Sequence, residues 1–284
     1  MPYNNPQYWT NIHNSYRGKL RAVGHPFLSE NLNRLKYESE GSSLFHALSK
    51  VADDFEQEGI HRFSFLDVGA GTGYWSGFVI DGFSRDFIIT ATALDISVEA
   101  LNSLNEQFPD IKTVNEDLAK IAPDKFLESY DLVFSCYCLH HLVNHNDFVN
   151  ALRFTGNSVK KGGFLLIMDP MLKMPYSKYD TLDFNSFRGN GIPRHLYVID
   201  DILGTIGLQR RLIRPAVSFI LNENIEAPGP IAYFLMTAMW KVLCKFYRSE
   251  RLVQIFGGIL KYADRILKRF SLSFSSSICL YQKT

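Results

Sequence analysis

Phe63-Ser64-Phe65-Leu66-Asp67-Val68-Gly69-Ala70-Gly71-Thr72-Gly73 joins a short apolar run to three glycines at alternate positions. The run reads as a buried strand, and the glycines read as the tight turn that ends it. Glycines at this spacing let the backbone turn sharply and approach a ligand with no Cβ in the way. The spacing is G-x-G-x-G, not the G-x-G-x-x-G fingerprint that seats a pyrophosphate on a helix N-terminus. A glycine triplet alone is equally a plain turn, so the acids around it decide its meaning. Asp95 ends the next apolar run, about 20 residues past the last glycine, where an acid can accept both ribose hydroxyls. Asp117 follows a third strand in the adjacent crevice, placed to accept from an adenine amino group. Asp67 lies inside the loop, placed to meet an ammonium group. Three acids with no Lys or Arg near the loop suit a cationic ligand better than a phosphate.

On either side of this stretch, strand and helix patterns alternate. Leu44, Ala47, Leu48, Val51 and Phe55 fall on one face of a helix that Gly59 closes. Residues 87–94 read as the second strand, followed by a helix capped by Ser97 with Val98, Leu101, Leu104 and Phe108 at helical spacing. Residues 111–114 and 132–136 read as the third and fourth strands. A helix near 146–159 has an acid at its start and Lys160-Lys161-Gly162-Gly163 at its stop. Residues 164–168 are the fifth strand, 208–220 contain a sixth and 277–282 a seventh. The alternation predicts an α/β fold, a doubly wound and mostly parallel sheet. Residues 1–42 have no clean period and are expected to form an N-terminal cap on a domain spanning 43–284. Within that domain, 170–200 is expected to be a substrate loop and 229–270 a helical insertion before the last strand.

Composition narrows the function classes. The 284 residues are 46% hydrophobic and 21% charged, with 30 Lys+Arg against 29 Asp+Glu, a globular balance. A net charge of +1 gives no overall pull toward nucleic acid or membrane, and no nucleic-acid partner is expected. The four cysteines form no C-x-x-C pair and read as reduced core thiols. The first residues lack a charged start followed by an apolar run, so no signal peptide is expected, and no apolar run reaches about 18 residues. A cytoplasmic protein, or one peripheral to a membrane, is expected.

With these residues in hand, the sequence resembles the class I S-adenosylmethionine (SAM)-dependent methyltransferases of small-molecule biosynthetic type. The resemblance rests on Asp67 to Gly73, Leu94-Asp95-Ile96-Ser97, Glu116-Asp117-Leu118, Ser135 to Leu142 and Lys161 to Pro170, in that order along about 60–175. It implies a seven-stranded sheet with the last strand antiparallel and SAM as cofactor. It implies cofactor contacts from Asp67, Gly69, Ala70, Gly71, Gly73, Asp95, Ile96, Asp117, Leu118 and Cys136. It also implies that the N-terminal segment closes over the cofactor, where Arg21, His25 and Tyr37 would meet SAM's carboxylate or the substrate.

The acceptor side is less specific. Ser135-Cys136-Tyr137-Cys138-Leu139-His140-His141-Leu142 replaces the Asn/Asp-Pro-Pro-Tyr element of nucleobase amino methylation and looks like that of small-molecule methyltransferases. His140 or His141, at a strand's carboxyl end, is a candidate general base on a hydroxyl, or else a loop-holding residue. Asp169 is a second candidate. It stands without the partner carboxylates a divalent cation needs, so no metal is expected. His195 lies where a substrate loop returns to the site. The expected reaction is methyl transfer to a hydroxyl, less readily nitrogen or carbon, of a small or lipid-linked metabolite, with a sugar favoured. The alternatives are a quinone-type carbon methyltransferase at the membrane and a catalytically silent SAM-binding scaffold.

Residues 231–247 and about 250–269 read as two helices. Between 227 and 272 there are eight basic residues and two acids, a local charge of +6 against +1 for the chain. Three readings stay open: a lid packed on the sheet, an apolar patch edged by cations that docks on anionic lipid, and a homodimer interface.

Overall fold

A computed structural model describes residues 5–16, 19–181, 189–223, 225–269 and 276–284. Helix α1 (Asn5–Ser15) is followed by a short 3-10 turn at Leu20–Ala22 and by α2 (Glu30–Gln57). Strand β1 (Arg62–Val68), α3 (Tyr74–Phe83), β2 (Ile88–Asp95), α4 (Val98–Gln107) and β3 (Lys112–Asn115) form the first half of the sheet. The second half contains β4 (Tyr130–Cys136), α5 (His145–Asn157), β5 (Val159–Leu172), β6 (Arg194–His195), α6 (Leu196–Gly204) and β7 (Leu208–Pro215). Helices α7 (Pro230–Tyr247) and α8 (Glu250–Arg269) precede β8 (Ser276–Lys283).

The strands lie in the order β3-β2-β1-β4-β5-β8-β7. β1 runs parallel to both β2 and β4, whereas β8 is antiparallel to β5 and β7. The chain winds outward from β1 in one direction and from β4 in the other. A crevice is therefore left at the carboxyl ends of β1 and β4, where ligands settle in open α/β sheets. The period-2 pattern of β1 shows why both faces are covered. Phe63 and Phe65 enter one core cluster with Leu44, Leu48 and Val51 of α2, and Leu66 and Val68 enter the opposite one with Phe148 and Leu152 of α5.

Two boundaries differ from those the sequence suggests. The helix expected from Ser43 starts at Glu30, so a division at residue 42 cuts one continuous element. Its N-cap is Ser29, whose Oγ accepts from the Leu32 N–H at 3.1 Å. The buried side of this first half carries Asn33, Ser39, Glu40 and Gly41, which hides any apolar period. Leu32 and Leu35 pack instead against Trp240, Tyr247 and Val253, forming a third cluster with the helical pair. The sheet also has an eighth strand, because β5 continues past Met168 and pairs Met171 and Leu172 with Arg194 and His195 of β6.

Helices α7 and α8 form where the sequence places them, but only Trp240, Tyr247, Val253 and Asp264 of the pair are buried. Among the described residues no helix is long and apolar enough to cross a membrane. All four cysteines are free thiols.

Candidate active site

Leaving β1, the chain turns through Gly69, Gly71 and Gly73 at φ of 79°, 54° and 84°, the left-handed region glycine tolerates. A Cβ on Gly69 would lie 2.3 Å from Cys138 Sγ, and one on Gly71 would lie 2.9 Å from Val23. The loop is thus pressed between the turn after β4 and the N-terminal cap. The Gly69 and Ala70 N–H groups donate to the Leu94 carbonyl at 2.8 and 3.0 Å. The Asp95 carboxylate accepts from Gly71 N–H at 2.8 Å and from Ser97 N–H at 2.9 Å, pinning the loop to the end of β2. Each carboxylate oxygen keeps acceptor capacity for a ligand.

This loop floors a cavity open to solvent. Asp95, Ile96, Glu116, Leu118 and Cys136 line it from the sheet, and Trp9, His13, Val23 and Tyr37 line it from the cap. Tyr37 lies parallel to Trp75 with ring centroids 5.2 Å apart, and its hydroxyl donates to the Val23 carbonyl at 2.7 Å. His13 Nδ1 is 2.9 Å from Ser97 Oγ, and burial lowers the pKa of its ring. Among the described residues this wall holds two carboxylates, Asp95 and Glu116, and no Lys or Arg.

A second cavity adjoins the first and shares Trp9, Val23, Tyr37, Tyr137 and His141 with it. Its other walls include Tyr8, His25, Lys36, His140, Tyr179 and Glu223. Tyr137 has φ 55°, a costly conformation for a bulky residue and one that clusters at functional sites. Its hydroxyl bonds to the buried Glu40 carboxylate, which Lys36 Nζ meets at 3.3 Å. The same ammonium sits 4.4 Å over the Tyr137 ring. Burial and the Lys36 charge lower the pKa of His25 to about 4.

The His140 ring is fixed by one carboxylate. Its Nδ1 lies 2.5 Å from Asp169 Oδ1, and its backbone N–H donates to Asp169 Oδ2 at 3.0 Å. Because a carboxylate only accepts, Nδ1 carries a proton, and in the neutral ring the lone pair is then on Nε2. His141 turns Nδ1 to the Asn190 carbonyl and packs its ring on Trp9, centroids 4.8 Å apart. Burial, then the neighbouring His140, pushes the His141 pKa well below the usual imidazole value.

With the site's geometry established, residues 66–165, from within β1 to within β5, match the family described as a methyltransferase domain. Residues 66–165 carry a SAM-dependent methyltransferase domain. Comparison with curated proteins finds no match in sequence. Among solved structures, the chain is similar to a candidate sarcosine dimethylglycine methyltransferase from Galdieria sulphuraria, at 15% identity over 83% of this chain and 84% of that one, with a TM-score of 0.51. It is also similar to a SAM-dependent methyltransferase from Mesorhizobium loti (14% identity, 78% and 91% covered, TM-score 0.46). A cyclopropane synthase from Mycobacterium tuberculosis gives 12% identity, 84% of each chain covered and a TM-score of 0.49.

The methyltransferase's first cavity fits SAM by its own chemistry. Gly69 and Gly71 leave a cradle that a Cβ would disturb, and a wall that among the described residues has acids and no Lys or Arg suits a sulfonium. Of the expected cofactor residues, Gly69, Ala70, Gly71, Asp95, Ile96, Leu118 and Cys136 line this cavity. Three lie elsewhere. Asp67 is buried beneath the loop, accepts from Ser76 Oγ at 2.7 Å and has its pKa raised by burial to about 7. Gly73 faces Leu104, which a Cβ would approach to 2.7 Å. Asp117 turns back on its own chain, accepting from Ala119 N–H at 3.0 Å and pairing with Lys120 at 3.1 Å, while Glu116 takes the place in the wall.

Of the expected substrate residues, His25 and Tyr37 line the second cavity. Arg21 and His195 do not: Arg21 lies over the Tyr16 ring, and His195 Nε2 pairs with Asp180 at 2.6 Å. Sequence reading missed Trp9, His13, Lys36, Glu40 and Tyr137. Trp9 with His13, and Lys36 with Glu40, are spaced i, i+4, so each pair shares one helical face. That spacing was the available signal. Among the described residues no three His, Cys, Asp or Glu side chains cluster as a metal site.

Proposed function

We propose that this methyltransferase methylates a hydroxyl of a small or lipid-linked acceptor bound in the second cavity. The observation that carries the proposal is the His140–Asp169 pair, whose histidine lines the cavity adjoining the cofactor cavity while the buried aspartate stands behind it. Tyr8, Trp9 and Tyr179 offer flat faces there, and Asn190, Asn222 and Glu223 offer polar partners, a lining that suits a sugar.

SAM, when bound, supplies an electrophilic methyl group whose departure leaves a neutral thioether. The chain's own residues do the rest. The Gly69–Gly71 backbone and Asp95 hold the donor at the switch point, and the second cavity holds the hydroxyl beside it, which converts a bimolecular encounter into an oriented one. His140 Nε2 accepts the hydroxyl proton as the oxygen lone pair forms its bond to carbon. Asp169 keeps the ring oriented through Nδ1–H and stabilises the imidazolium that results. His141, held neutral, and Trp9 complete the wall between the cavities and exclude water.

The test is production of S-adenosylhomocysteine against a panel of hydroxylated acceptors, sugars and lipid-linked sugars included, with wild type and His140→Ala. Turnover on a hydroxyl acceptor that the variant loses supports the proposal. Turnover only on a nitrogen or carbon acceptor, unchanged in the variant, overturns it. SAM binding with no turnover on any acceptor favours the scaffold alternative.

A further inference from the structure

We propose that the exposed faces of α7 and α8 seat the protein on an anionic lipid bilayer. The faces are apolar and outward. Ile231, Phe234, Leu235 and Val242 of α7 are 60–76% exposed, and Ile255, Ile259 and Tyr262 of α8 are 62–67% exposed. Their spacing on each helix, three or four residues apart for the most part, makes two continuous stripes. An apolar face of this extent on a folded chain marks an interaction site.

Charge selects the occupant. Of the ten charged residues between 227 and 272, eight are basic, and both acids are used up internally. The Glu250 carboxylate accepts from the N–H groups of Glu30 and Asn31 at 2.7 and 3.0 Å, capping α2. Asp264 is buried, accepting from Ser39 and from the Ser218 N–H and pairing with Lys268 at 3.3 Å. What faces outward is therefore apolar surface edged by Lys241, Lys245, Arg248, Arg251, Arg265 and Arg269, all exposed. A second copy of the chain would bring like charge against like. Anionic headgroups complement the rim, while the acyl boundary takes the stripe. The remainder of the chain carries the compensating negative charge, since the whole is only +1, and is repelled from the same surface. This inference does not depend on which acceptor is methylated.

The experiment is co-sedimentation of the full chain with phosphatidylcholine vesicles, with and without about 30% phosphatidylglycerol. At least tenfold stronger partitioning onto the anionic vesicles is expected, falling as salt is raised. Ile255→Asp with Ile259→Asp, and separately Lys241→Glu with Lys245→Glu, should each lower it tenfold or more while leaving the melting temperature and SAM titration unchanged. Failure to partition, or equal partitioning onto neutral vesicles, would overturn the proposal. So would a dimer in light scattering that Ile259→Asp dissolves, which would reassign the face to a second copy. A wild type that fails to bind SAM would strike the cofactor assignment and leave the vesicle result standing, so the two fail separately.

Discussion

The two cavities share five side chains and are built by opposite means. The cofactor cavity is floored by backbone, at the ends of β1 and β2, where glycine conformation and N–H groups do the work and the charged groups are acids. The second cavity, the proposed acceptor site, is assembled from side chains of α1, α2, the turn after β4 and the segments around Tyr179 and Glu223, and among the described residues its ionisable groups are three His, one Lys, one Glu and four Tyr. Backbone recognition fixes one ligand geometry; side-chain recognition lets the same frame take different acceptors. On the proposed assignment, one half sets what donates and the other sets what receives.

Substitutions should separate these halves. The largest effect is expected for His140→Ala, which should lower kcat by about 10²- to 10⁴-fold and leave the SAM dissociation constant unchanged, as steady-state kinetics beside calorimetry would show. A matching loss of SAM affinity would break the division. Asp95→Ala removes the anchor of Gly71 and Ser97 and should weaken SAM at least a hundredfold, or about 2.7 kcal/mol, by calorimetric titration.

Stability against pH should carry opposite signs in the two halves. Asp67, below the cofactor loop, has its folded pKa raised to about 7 from 3.8, so the folded state binds the extra proton between those values. Its contribution is complete below about pH 4 and is lost as pH rises through 7. His25, in the acceptor wall, has its folded pKa lowered to about 4 from 6.5. Its contribution is complete above pH 6.5 and is lost as pH falls through 4. Melting curves should show Asp67→Asn gaining on wild type as pH rises from 4 to 7, and His25→Gln gaining as pH falls from 6.5 to 4. Parallel curves for either pair would contradict the assigned burial. The smallest effect is expected for Tyr37→Phe, which loses one hydrogen bond to Val23, about 1 kcal/mol, and should weaken SAM several-fold in the same titration.

The cofactor half was largely legible because its signals are local. Gly69, Gly71 and Asp95 are tied to strand ends, and strand ends are visible as apolar runs. Asp67 and Asp117 show the limit of that logic: each stands at the right place in the chain, yet Ser76 and Lys120 draw their carboxylates away. The acceptor half was legible only in part. His140 and Asp169 were each visible, but their pairing depends on the parallel register of β4 with β5, which no spacing reports. Lys36, Glu40 and Tyr137 form a network across distant segments, hidden because a helix with a polar buried side has no apolar period to find. The β6 pairing, two residues long, is a product of tertiary contact alone.

The wall formed by Trp9, Val23, Tyr37, Tyr137 and His141 has one face toward each ligand. Any order that one molecule imposes on that wall is order the second need not impose. The resulting cooperativity is reciprocal: the factor by which donor tightens acceptor is the factor by which acceptor tightens donor. Acceptor libraries screened against cofactor-free protein would rank the true acceptor too low. The product thioether, filling the donor side without a methyl to give, is the additive that would let the acceptor be found by binding alone.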